Sequence, residues 1–242
     1  MALQRIARNF TQLGWIEAIH YFVARTVSRI SGRRVRIVRY HLVAQPVPID
    51  AAAACRPSAK NPVEFADADA PIVAEFPRPP AVIAKRFADG GQCLVARAGE
   101  RFAGFLWLAR GHYDEDMVRC RYALAVPEAS AWDYDVYVAP EFRVGRTFAR
   151  LWDTANEHLR ADGVLWSFSR IESVNPQSLN AHRRLGVRKL FSVTFVRVGP
   201  LQLTVAGIAP YLHLSLSERS RPTLHLKPPR GGMPTKSVAT MK

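Results

Sequence analysis

The stretch VYVAPEFRVGRTFARLW, residues 136–152, carries three signals in one short run. Val136 and Val138 alternate with Tyr137 as in a strand, and Pro140 ends the alternation. A turn rich in arginine follows, with Arg143, Gly145 and Arg146. From Arg146 the apolar residues Phe148, Leu151, Trp152, Ala155 and Leu159 recur at helical spacing up to Gly163. A strand that runs through a loop into a helix start is a place where anions bind, because the first helical N–H groups are unpaired and the helix dipole favours negative charge. Taken alone, arginines at such a turn are equally explained as solvated side chains.

The sequence on both sides extends the pattern. Val164–Ile171 reads as a strand, NPQSLNAHRRLGV (175–187) as a short helix over 176–185 entered through Asn-Pro, and Arg188–Val198 as another strand. Upstream, Ala131–Val138 alternates, and Gln92–Ala96 and Arg101–Arg110 flank the turn RAGE (97–100) as a hairpin. A helix over Ala81–Ala88 stops at Gly90-Gly91, the Pro- and Ala-rich residues 46–80 read as loop with at most short helices, and Val35–Gln45 reads as a strand. Residues 3–30 form an amphipathic helix by the spacing of Leu3, Ile6, Phe10, Leu13, Ile16, Ile19, Val23, Val27 and Ile30. The order implies an α/β (α+β) fold: a mixed, mostly antiparallel central sheet flanked by helices, with an extra N-terminal amphipathic helix. Val198–Leu216 is apolar enough to suggest a membrane span, but Pro200 and Pro210 interrupt it and Leu201, Leu203 and Val205 alternate with polar residues, so it reads as a strand and a packed loop. The domain expectation is a basic helix over 1–34, one domain over 35–216 and a basic, disordered tail over 217–242.

The net charge of +14 sits at the ends. Residues 1–50 carry eight arginines against Glu17 and Asp50, and residues 217–242 carry six basic residues against Glu218. A nucleic-acid-binding domain concentrates its basic patch on the folded body, so this distribution argues against a nucleic-acid partner. Cys55, Cys93 and Cys120 are odd in number and too widely spaced for a metal or redox motif, which predicts reduced, buried thiols, no metal and a cytoplasmic setting. No signal peptide is visible.

The pattern V-x-V-x-P-x-x-R leading into a helix, then a strand, then N-x-x-S-x-x-x-H-x-x-x-G-V over residues 136–187 resembles the GNAT superfamily of acyl-CoA-dependent acyltransferases. The resemblance covers about residues 92–198. It implies that Val136 and Val138 offer backbone groups to the pantetheine arm of acetyl-CoA, and that Arg143, Gly145, Arg146 and Thr147 lie at its pyrophosphate. Arg143 matches the first residue of the family's Arg-x-x-Gly-x-Gly loop, but the glycines expected next fall on Arg146 and Phe148; a second alignment ends the motif at Gly145-Arg146 and shortens the loop by three residues. Asn175 matches the family's asparagine, and is also explained as a helix cap. Ser178 takes the small position beside the cofactor.

His182 occupies a position that in the family is most often a tyrosine, whose hydroxyl can protonate the departing thiolate. Histidine can do the same as imidazolium, or can merely line the pocket. For the base that takes the amine's proton the acids near the central strand are candidates, Asp135 first, with Asp133, Glu172 and the YDEDM cluster (113–117) behind it. The resemblance thus implies an N-acetyltransferase working by direct attack of an amine on acetyl-CoA, with no covalent enzyme intermediate. The rival expectation is a non-catalytic or membrane-associated module of the same fold. Trp15, Phe10 and Phe22 with Arg5, Arg8, Arg25 and Arg29 give the first helix the composition of a peptide lying on an anionic membrane; packing on the sheet, or on a second copy in a homodimer, explains it equally.

Overall fold

The structure is a computed structural model that describes residues 15–49, 55, 58–183, 185–217 and 219–229. Its elements are, in chain order, α1 (Trp15–Ile30), β1 (Val35–Pro46), β2 (Val63–Ala66), a 3-10 turn (Pro71–Glu75), α2 (Pro80–Ala88), β3 (Gln92–Ala98), β4 (Arg101–Ala109), β5 (His112–Asp114), β6 (Arg121–Leu124), β7 (Ser130–Val138), α3 (Thr147–Ala161), β8 (Trp166–Glu172), α4 (Pro176–Arg183), β9 (Arg188–Val198), β10 (Leu201–Ala206), β11 (Leu212–Ser215) and β12 (Thr223–Leu226). The fold is mixed α/β with mostly antiparallel strands, as expected. It divides into two compact bodies.

The first body takes the chain up to Gln45, His112–Ala125 and Phe168–Pro229. Its strands lie in the order β11-β10-β9-β1-β8, and a small sheet, β12-β6-β5, stands apart from them. β1 pairs antiparallel with β9, with Arg39 opposite Thr194 and His41 opposite Ser192. α1 is tied to one face of β1 through Glu17, which reaches Arg39 and His41 at 3.5 Å. Tyr40 and Phe195 pack edge-on in the core on the opposite face. The glutamine and threonine of β10, Gln202 and Thr204, point to that inner side and are wholly buried; Gln202 accepts from the Arg119 amide and donates to the Arg119 carbonyl. A second buried contact closes this body, where Arg170 grips the Glu115 carboxylate with two bonds and lies over the Tyr40 ring.

The second body takes Pro46–Gly111 and Val126–Ser167, with strand order β7-β4-β3-β2. α3 packs on these strands because Thr147, Leu151, Trp152, Ala155 and Leu159 fall on one side of the helix, all buried. Trp107, Trp132, Trp152, Phe105 and Leu94 fill its core.

Four short strands were not expected. β2 lies inside the stretch read as loop, β5 and β6 lie inside 111–130, and β12 lies in the tail expected to be disordered, where it pairs in parallel with β6. The first half of the long N-terminal helix, residues 3–14, and the tail from 230 lie outside the described residues. Among the described residues no helix is long and apolar enough to cross a membrane. All three cysteines are free and buried, and burial pushes each thiol up.

Candidate active site

The regular ladder between β4 and β7 breaks where the sequence reading centres. Phe105 faces Tyr137 and Trp107 faces Tyr134, so Asp135 and Val136 together stand opposite Leu106 alone. This is a β-bulge, whose extra residue falls out of the regular hydrogen-bond exchange and re-aims the strand. Asp135 adopts a left-handed backbone, φ 52°, which a non-glycine residue rarely does unless held. It is held by its side chain: Arg78 binds both carboxylate oxygens, its Nε at 2.8 Å from Oδ2, and Arg86 binds Oδ2 as well. Arg86 in turn lies over the rings of Trp107 and Tyr134, and Arg78 over those of Phe105 and Tyr137. Past the bulge, Gly104 opposes Val138, and the strands run so close that a Cβ there would come to 2.4 Å from the Tyr137 carbonyl oxygen.

Beyond Val138 the chain makes a 3-10 turn over Pro140–Phe142 and enters α3 at Thr147, one residue later than the apolar spacing suggests. The Arg143 Nε donates to the Val138 carbonyl, which pins the turn to the strand end. The Gly145 amide donates to the Phe142 carbonyl at 3.2 Å, so it is spent within the loop. Arg146 is the N-cap and offers no side-chain bond to the helix. The helix thus starts at Thr147 without a side-chain cap, and Arg143 and Arg146 stand just before it in sequence. Thr147 itself is buried.

Strict alternation would put Asp133 and Asp135 on one face of β7, but the bulge interrupts it. Asp133 is buried and accepts from the Ser167 hydroxyl at 2.6 Å, while Asp135 faces its two arginines. The YDEDM acids are also engaged: Asp114 pairs with Arg121 and Arg221, and Glu115 with Arg170.

In the first body, α4 begins as the sequence indicates. The Asn175 side-chain oxygen accepts from the Ser178 amide at 3.0 Å, the geometry of a helix cap, with Pro176 in the first turn. The His182 Nδ1 lies 2.8 Å from the Ser178 carbonyl oxygen. A carbonyl can only accept, so Nδ1 carries the proton. His182 is buried, 6% exposed. Gly186, with φ 76°, ends the turn after the helix.

By sequence the chain matches no family model and no curated protein. By structure it is similar to a GNAT-family protein from Novosphingobium aromaticivorans (17% identity, TM-score 0.46, covering 66% of this chain and 63% of that one). It is also similar to a GCN5-related N-acetyltransferase from Kribbella flavida (14% identity, TM-score 0.41, 69% and 62%). A third is an acetyltransferase structure from Salmonella typhimurium solved with acetyl-CoA (18% identity, TM-score 0.36, 67% and 98%). The chain resembles GNAT acetyltransferases in structure. It spans under two thirds of the length of the first two.

Arg78 and Arg86 are the residues of this site that sequence reasoning missed. They stand 57 and 49 positions before Asp135, and no local pattern links them to it.

Proposed function

We propose that the chain is an acyl-CoA-dependent N-acyltransferase that moves an acetyl group from acetyl-CoA to an amine. The observation that carries the reading is the bulge at Asp135–Val136 followed, within one short run, by a helix start with no side-chain cap and two arginines. A bulged strand offers backbone amides and carbonyls to an extended amide-rich arm such as pantetheine, and the helix start suits its phosphates. Val136 and Val138 are the strand groups for the arm. Arg143, Arg146 and the amide at Thr147 are the groups for the pyrophosphate, with Gly145 serving through its lack of a side chain rather than through its amide.

The amine nitrogen attacks the thioester carbonyl, the C–S bond breaks, the amine loses a proton and the thiolate gains one. The Val136 amide is our candidate for polarising the carbonyl. His182, protonated at both nitrogens, would give its Nε2 proton to the thiolate while the Ser178 carbonyl keeps its ring fixed. Asn175 serves chiefly as the cap that fixes this helix, and Ser178 as its small residue. Asp135, with both oxygens committed to guanidinium groups, is an anchor for the bulge; deprotonation of the amine then falls to water.

Arg146 and Phe148 at positions where the family has glycines favour a second reading, a module that binds without chemistry. Thermal unfolding with acetyl-CoA and with desulfo-CoA tests binding. At a hundred times the dissociation constant a ligand of the folded state adds about 2.7 kcal/mol. Release of free thiol on adding a panel of amines then separates the enzyme from the module. The absence of a melting shift with millimolar ligand would refute both.

A further inference from the structure

In the first body the edge strands β10 and β11 carry their polarity inside out. On β10 the residues that face inward are Gln202, Thr204 and Ala206, and on β11 Ser215, all buried. The outward residues are aliphatic: Leu201, Val205, Leu212 and Leu214, exposed by 42%, 45%, 66% and 55%. Pairing sets Leu212 beside Val205, Leu214 beside Leu203, and Leu201 beside Val198, so these side chains form one continuous patch. A sheet with one solvated face normally puts its polar residues outward.

α1 rises from the same face. Through Glu17 it lies over Arg39 and His41 of β1, which pair with Thr194 and Ser192 of β9, and those alternate in step with Val196 and Val198 of the patch. Only Ala18 of this helix is fully buried, while Trp15, Ile16, Ile19, Val23 and Ile30 are exposed by 48% or more. The predicted apolar stripe thus points away from its own sheet. One face holds both an apolar ridge and, beside it, a bare apolar trough.

We propose that the chain forms a two-fold dimer in which α1 of each copy seats Ile16, Ile19 and Val23 on the bare β9–β10–β11 face of the other. A ridge and a trough side by side on one surface become complementary when that surface is rotated onto itself, and a two-fold contact requires the same patch from both partners. Charge agrees. The outward positions of β10 and β11 hold no ionisable side chain, so the arginines of the opposing helix, Arg25 and Arg29, meet no like charge there. Monomers rarely leave large contiguous aliphatic patches to water, and the ridge and trough would form the apolar centre of an interface that takes about 20–30 residues a side.

Analytical ultracentrifugation of the full chain tests this, with Ile19→Glu altering the ridge and Leu214→Glu the trough. Both sites are exposed, and circular dichroism with a urea melt checks that the fold survives; Leu212→Asn replaces Leu214→Glu should the latter unfold. The expected result is a species of twice 27.1 kDa that falls to 27.1 kDa in either variant. A monomeric wild type overturns the proposal, whatever covers the face. A dimer that survives the ridge or the trough substitution in a folded variant also overturns it. Cosedimentation of a monomeric wild type with phosphatidylserine-containing vesicles, lost in Ile19→Glu, would assign the face to a membrane instead.

Discussion

The guanidinium of Arg86 forms an ion pair with the carboxylate of Asp135 and lies over the neighbouring rings of Trp107 and Tyr134 at 5.5 and 5.3 Å. Asp135 is the residue that takes the left-handed backbone at the bulge, so this pair decides the course of the strand on which the proposed cofactor contacts depend. Removing one member of a buried pair leaves the other charge uncompensated. Arg86→Met should lower stability by about 3 kcal/mol, the low end for such a loss because Arg78 still holds the carboxylate. Urea denaturation measures it, and an unchanged midpoint would show the pair to be idle.

Asp135→Asn distinguishes an anchor from a base. As an anchor, it loses stability and acetyl-CoA affinity together, and the surviving turnover keeps the wild-type pH profile. A stable variant with normal affinity and no turnover would restore Asp135 as the proton acceptor.

Gly104→Ala puts a methyl group where the Tyr137 carbonyl already stands. Overpacking of this kind costs about 1–3 kcal/mol. The same shift of β7 should weaken acetyl-CoA binding, read by thermal shift, whereas Gly111→Ala, which meets nothing within 4 Å, tests strain from positive φ without a clash and should leave that affinity alone.

For His182 the expected behaviour is a split between binding and turnover. His182→Phe should keep acetyl-CoA affinity and lower kcat by about 100-fold, and His182→Tyr should recover much of the loss. Normal turnover in the Phe variant would reduce the histidine to packing. Asn175→Ala, removing the cap, should cost about 1 kcal/mol.

Acid should loosen the first body through His41. Burial first, and then the positive charge of Lys189, lowers its pKa from 6.5 to about 4. The unfolded chain therefore takes up the proton before the folded one does. Stability present above about pH 6.5 is lost as the pH falls towards about 4. Urea midpoints measured across that window should slope downward with acid, and His41→Gln should flatten the slope; an equal slope in the variant would assign it to other groups.

The long periodic segments were legible because their signal is local. β9 matches its expected bounds, and β1, β7 and α3 differ from theirs by a residue. β2, β5, β6 and β12, of three or four residues each, are too short to show a period, and only their partners make them strands. The apolar alternation of Leu201, Leu203 and Val205 announced a strand, but which of its faces meets the core is decided by Arg119 and its neighbours, far away in sequence. The same holds for Asp135. Its type and position suggested chemistry, and arginines from α2 and the segment before it gave it a different partner set.

The parallel pairing of β6 with β12 has a consequence for synthesis. Leu124 finds its partner in Leu226, roughly a hundred residues later. At 5–20 residues per second, about 5–20 seconds pass on the ribosome before that strand can be completed. Through this interval Tyr122 and Leu124, which end up with almost no exposure, have only β5 beside them in their sheet. The described segments of the second body end at Ser167, so all of them are made well before β12. The nascent chain thus passes through a stage in which every described segment of the second body has been made while β6 still waits for its outer partner.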